Sequence, residues 1–159
     1  MLSTNNLAFA IKQKEVNHSV DDLMVVQSQI LNRDSNGKVM VEKLPSTDHS
    51  RGGFHIPGIM LKYGEHPEDG AHRVLTEELE VADRPVRLID VQSHAGEKNS
   101  WYLIFLFESD PLSSEELSNP CQGIDELLHI DLNDTDASNS TSGLLDIKNA
   151  MATPGKTYV

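Results

Sequence analysis

The chain has a single cysteine, Cys121, so no internal disulfide can form and no second thiolate is present to help hold a metal. A cytoplasmic setting fits that usage. Basic residues are also few: 13 Lys and Arg stand against 25 Asp and Glu, a formal charge of −12. Broad binding to nucleic acid or to an anionic membrane needs a basic face, so this balance argues against both. A phosphate-bearing ligand would have to be met by cations. Long apolar runs are missing as well. Leu7-Ala-Phe-Ala-Ile11 has no basic segment before it and is too short for a signal-peptide core or a membrane span. No internal repeat or linker divides residues 1–159, which are read as one domain able to bury its own core.

What is present reads as strands alternating with helices. Residues 1–22 form an N-terminal segment in which Leu7 to Val16 suits a short helix or an edge strand equally. Leu23 to Leu31 and Val39 to Leu44 are rich in apolar and β-branched residues, and the Asn36-Gly37 step between them predicts two strands around a hairpin turn. A polar loop, Pro45 to Gly53, ends in Arg51-Gly-Gly53. His55 to Leu61 is a third strand candidate, interrupted by Pro57-Gly58. Pro67, followed by Glu68 and Asp69, predicts a helix from 67 to about 80, with Ala71, Leu75 and Leu79 as its core stripe. Val86 to His94 alternates as a strand does. Trp101 to Phe107 is apolar at every position, as in a strand covered on both faces, which places Trp101 in the core. Ser113-Ser-Glu-Glu116 has capping-box spacing for a short helix, and Ile124 to Leu132 suits another strand. A polar loop (133–142), a terminal helix (143–151) and a tail (152–159) complete an α/β chain whose sheet is sandwiched between helices.

The chemistry is concentrated between Phe54 and Val81. Glu65 is followed after seven residues by Arg73, then by Leu75, the adjacent pair Glu77 and Glu78, and Val81, with Pro57-Gly58 leading in. Over residues 59–81 this resembles the box of the Nudix superfamily: Gly, five residues, Glu, seven residues, then Arg-Glu-U-x-Glu-Glu-x-Gly-U, with U a bulky aliphatic. The resemblance implies an α/β/α sandwich with a mixed β-sheet. It also implies hydrolysis of a nucleoside diphosphate linked to another moiety, with Mg²⁺ or Mn²⁺ as cofactor. Glu77 and Glu78 would be the metal ligands, Arg73 would orient them, and Glu65 would assist, so these four are the expected catalytic residues. Substrate contacts are expected from Gly58, from Phe54 as a surface for a base, and from Arg51, whose loop could bring amides to a phosphate. The expected partner is a small phosphorylated molecule rather than nucleic acid or membrane, and a homodimer is left open.

Three positions depart from the box. Ile59 and Glu80 replace its glycines, and Val74 replaces the glutamate after the arginine. In an α-helix residues 74 and 78 share a face and 77 flanks it, so Val74 would remove one carboxylate from a metal-facing cluster. Losing even an indirect partner of a metal commonly costs ~10–100-fold in affinity or activity. Glu68, Asp69, Glu97 and Glu108 are candidate substitutes. The departures therefore support a second reading, a non-catalytic module of this fold that binds a nucleotide-like ligand or a protein partner. Simpler roles stand beside each assignment. Glu77 and Glu78 could be a solvated helix face, Arg73 could pair with Glu77 and Asp69, and Glu65 could accept bonds from amides near the helix start. His49, His55, His66, His72 and His94 lack the i, i+4 spacing around a glutamate that zinc helices use. Tyr63 and Trp101 join Phe54 as candidates to stack on a base.

Overall fold

The computed structural model describes residues 24–43, 54–95, 100–118 and 124–131. The expectations for residues 1–22, Arg51, Glu97, Cys121, the 133–142 loop, the terminal helix and the tail lie outside them. Among the described residues seven strands form two sheets: β1 (Met24–Asn32), β2 (Val39–Lys43), β3 (Phe54–His55), β4 (Gly58–Met60), β5 (Val86–Ala95), β6 (Trp101–Ser109) and β7 (Glu126–Ile130). The larger sheet has the order β4-β1-β6-β5 and is mixed, with β1 parallel to β6 and the other pairs antiparallel. The smaller sheet, β3-β2-β7, is antiparallel throughout.

The turn expected at Asn36-Gly37 forms. The Asp34 carboxylate accepts the Asn36 and Lys38 amides at 2.8 and 2.9 Å, and Gly37 takes a left-handed φ of 80°. The hairpin does not. Apart from one bridge, Arg33 to Val39, β1 and β2 part into different sheets. The reason is that β1 has no free edge: β6 lies along its whole length, β4 takes the other side, and the Ile30 amide donates to the Pro57 carbonyl at 2.9 Å. The strand interruption at Pro57-Gly58 is where the chain passes from the smaller sheet to the larger one. A Cβ at Gly58 would lie 2.7 Å from Gln29 Cγ and 3.2 Å from the Ser28 carbonyl oxygen, so this glycine admits β4 beside β1.

Helix α1 spans Pro67–Arg73 and is capped by His66, whose ring accepts the Glu68 amide at 3.3 Å. It continues as a π-helical turn over Val74–Glu78, closed by the Leu79 amide on the Val74 carbonyl at 2.9 Å. Ala71, Leu75 and Leu79 are buried, as the stripe predicts, and Val74 is buried with them against Ile30, Met40 and Phe107. Each buried Val or Leu side chain contributes roughly 1.5–3 kcal/mol. The helix is fastened at its start by the buried Ser28 hydroxyl, which donates to the Pro67 carbonyl at 2.6 Å. On the alternate side of the strands Leu31, Val39, Val41, Ile56 and Leu106 form a second cluster.

Beyond the core of β6, Asn32 Nδ2 donates to Ser109 Oγ and to the Asp110 carbonyl, and its oxygen accepts the Leu112 amide. This holds the exit toward α2 (Ser114–Ser118), where Ser113 and Glu116 bond each other's amides as their spacing predicts. Trp101 departs from expectation: it is 46% exposed, because β6 is covered around Ile104, Leu106 and Phe107 but not at its first residue. Among the described residues no helix is long and apolar enough to cross a membrane.

Candidate functional site

The turn before α1 and the outer side of its last residues carry the box side chains. Gly64 supplies the left-handed φ, 77°, that the turn needs, and the Glu65 amide donates to the Lys62 carbonyl at 3.0 Å. Glu65 Oε2 accepts the Lys62 amide at 2.7 Å, and Arg73 Nη1 donates to both carboxylate oxygens, at 2.9 Å from each. Arg73 also donates from Nε to Glu77 Oε2 at 3.0 Å. One guanidinium therefore ties the turn to the helix. The Lys62 amide and, after it, Arg73 hold Glu65 below the ordinary glutamate range, while bonding to Glu65 foremost raises Arg73 further.

The sequence-derived pairings are thus partly met. Arg73 does pair with Glu77, but its second partner is Glu65, across the turn, rather than Asp69. Glu65 does accept an amide, that of Lys62 in the preceding turn. The larger difference concerns position 74. Val74 is wholly buried, whereas Glu77 is exposed and Glu78 half-buried, so Val74 does not face outward with the carboxylates. Glu80 follows with φ 51°, a left-handed conformation where the box has glycine.

Among the described residues, the candidate substitutes Glu68, Asp69 and Glu108 do not gather here into a cluster of acids. Glu108 is taken by Arg33, at 2.6 Å, and by Arg87, and borders a cleft of about 380 Å³ whose lining includes no box residue. Glu68 and Asp69 are exposed on the first turn of α1. Among the described residues no three of His, Cys, Asp and Glu converge as a metal cage would require. What the helix offers is an adjacent pair, Glu77 and Glu78. That donor set suits Mg²⁺, a hard cation commonly held by one or two carboxylates with water and substrate phosphates, and does not suit a cation enclosed by protein alone.

Of the expected substrate contacts, Phe54 is half-buried against the second cluster and Gly58 is packed on β1. Tyr63 is fully exposed on the turn. A buried acid that sequence reasoning passes over is Glu42, 4% exposed, paired in register with His55 on β3 and Leu127 on β7. Its place beside Lys43 at the end of β2 gives no sign that its neighbours close over it.

No protein-family model and no curated protein matches the chain. Solved structures do. A MutT protein from Methanosarcina mazei Go1 superposes with a TM-score of 0.66 at 11% identity, over 85% of this chain and 100% of the other. A mutT/nudix family protein from Listeria innocua gives 0.56 at 20%, over 82% and 89%. An ADP-ribose pyrophosphatase from Streptococcus suis 89-1591 gives 0.54 at 13%, over 85% and 96%. Identities this low speak for shared architecture alone: the chain has the Nudix superfamily fold.

Proposed function

We propose that the chain is a metal-assisted hydrolase that cleaves the phosphoanhydride of a nucleoside diphosphate joined to another moiety, working with a reduced carboxylate set. The observation that carries this reading is the Arg73 clamp, which ties Glu65 on the preceding turn to Glu77 on the helical segment that also bears Glu78. Glu77 and Glu78 would hold Mg²⁺ or Mn²⁺, and the cation, when bound, would lower the pKa of an attacking water and screen the phosphates. The protein's own contribution is positional. Arg73 holds one Glu77 oxygen and fixes the turn through Glu65, so the carboxylates need not be ordered when substrate arrives. The substrate class is supported by the likeness to the ADP-ribose pyrophosphatase from Streptococcus suis, and the cytoplasmic setting by the single cysteine.

Glu78→Gln should abolish Mn²⁺-dependent phosphate release from a panel of nucleotide sugars, dinucleoside polyphosphates and nucleoside triphosphates. Unchanged turnover would sink the assignment of that ligand. A second reading, a binding module without catalysis, is favoured by the burial of Val74 and by the absence of a converging third acid among the described residues. It requires wild type to be inactive across the panel while a nucleotide still raises its melting temperature.

A further inference from the structure

Among the described residues the arginines are unevenly matched to acids. Arg73 answers two carboxylates and Arg84 one, but Arg33 and Arg87 divide a single acid between them, Glu108. The sheet register assembles this trio. Glu108 on β6 stands opposite Arg87 on β5 and, on its other side, opposite Leu31 on β1, two residues before Arg33. Arg33 Nη2 lies 2.6 Å from Glu108 Oε1, and Arg87 Nη2 donates to Oε2. Both oxygens are thus engaged, each by one nitrogen of a fork that donates from several, and the two arginines outnumber the acid they share.

The trio opens on a space. It lines the cleft of about 380 Å³, within the roughly 300–1,000 Å³ that small-molecule sites occupy, with Pro85 and Pro111 as walls. Arg87 is 73% exposed and Arg33 37%, so both guanidiniums are open to a ligand arriving from solvent. Arg33 Nε is the exception: it is buried, and no group among the described residues accepts from it. A buried donor in that state favours any ligand that brings it an oxygen. Two more acids border the cleft. Asp34 spends Oδ1 on the Asn36 and Lys38 amides, and Asp110 is exposed, where water and salt screen it.

We infer that Arg33 and Arg87 form a binding site for a phosphate group, with Glu108 as the internal anion that a phosphate displaces. The carboxylate has one charge and too few oxygens to serve more than one nitrogen of each arginine. A phosphate carries ~1.5–2 negative charges near neutral pH and at least three acceptor oxygens. It therefore balances both guanidiniums, receives the planar fork of each, and has an oxygen to spare for Arg33 Nε. The inference is independent of the proposed hydrolysis, because no box residue lines the cleft and no metal takes part.

The test is a calorimetric titration of the full chain with inorganic phosphate, with a chelator present so that no metal at the box contributes. Wild type should bind weakly, because Glu108 competes for the same donors. Glu108→Gln removes the competing charge and should lower the Kd by roughly 10–100-fold; adding Arg33→Gln or Arg87→Gln to that variant should raise it again by a similar factor. Arg87 is largely exposed, so binding lost on its replacement reports the contact rather than the fold, and far-UV circular dichroism checks this. A ribonucleoside 5′-monophosphate identifies the source of the group. A Kd equal to that of inorganic phosphate assigns the site to phosphate alone, and a lower one assigns it to a nucleotide whose remainder lies along Pro85 and Pro111; either result supports the inference. It is overturned if the folded Glu108→Gln chain takes up phosphate no more tightly than wild type. Binding that survives both arginine replacements unchanged overturns it equally, since that marks an adventitious ion only.

Discussion

Replacing Val74 by glutamate restores the box on paper, and the structure predicts that it will damage the protein instead. Val74 has no exposed surface and packs with Ile30, Met40, Ala71 and Leu75. Val74→Glu forfeits roughly 1.5–3 kcal/mol of apolar burial. The introduced carboxyl must then be buried, and a polar group without a hydrogen-bond partner costs about 1–3 kcal/mol more even when neutral. The sum, ~2.5–6 kcal/mol, is a large part of the ~5–15 kcal/mol that holds a domain together. With a urea slope of about 2 kcal/mol/M, the midpoint should fall by ~1.3–3 M, followed by far-UV circular dichroism. The sign with pH is fixed. Burial raises the folded pKa of the introduced group, so its penalty is full at neutral pH and shrinks as pH falls toward the unfolded value of about 4.3. Val74→Gln should keep most of the deficit without its pH dependence. If Val74→Glu unfolds within ~0.5 kcal/mol of wild type and binds Mn²⁺ more tightly by calorimetry, the assignment of this side chain to the core is wrong.

Two other expectations follow from the same segment. Glu80→Gly should stabilise: a left-handed non-glycine residue costs about 1–2 kcal/mol, the added freedom of glycine in the unfolded chain returns ~0.4–1, and the net should appear as a melting temperature higher by about 1–4 °C. No change, or a lower melting temperature, would mean that Glu80 is not held at φ 51° in solution. Glu65 and Arg73 should be coupled in a double-mutant cycle of Glu65→Gln and Arg73→Lys, since lysine cannot span two carboxylates as the guanidinium does. Glu65 titrates below its ordinary 4.5, so its stabilisation is complete above that value and is lost as pH falls through the lower, folded one. Coupling that persists unchanged in acid would show that something other than the ion pair links the two positions.

Much of the fold was legible because it rests on local chemistry. Pro67, the acids behind it and the Ala71, Leu75, Leu79 stripe determine where a helix begins and which side it buries. Ser113 and Glu116 cap α2 as their spacing requires. What failed depended on partners distant in sequence. Asn36-Gly37 predicts a turn, and a turn it is, but whether its flanking strands pair is decided by β4 and β6 competing for β1, which no local pattern reveals. Trp101 reads as core because its neighbours are apolar, whereas its exposure depends on where the covering layers stop. One set of contacts was legible as a spacing: Glu65, Arg73 and Glu77 are joined by hydrogen bonds from a single guanidinium. What the spacing did not reveal is depth: the backbone forms a π turn over Val74–Glu78, with Val74 wholly in the core while Glu78 stays half-buried and Glu77 exposed.

The two sides of this helix have therefore to be weighed separately. On the inner side, valine at position 74 adds apolar contact where a carboxylate would have to be hydrated or metal-bound, so this departure strengthens the scaffold. On the outer side, Glu65 and Arg73 both shift toward their charged forms despite desolvation, so the pair favours the folded turn. The clamp also positions: it fixes the Tyr63 turn and one oxygen of Glu77 through a single guanidinium. Retaining the clamp while burying Val74 leaves a protein built to hold Glu77 and the adjoining turn in register, with fewer charges to place on a cation. The proposed reaction thus depends more on phosphate oxygens of the substrate to complete the metal's shell than on any further carboxylate of the chain.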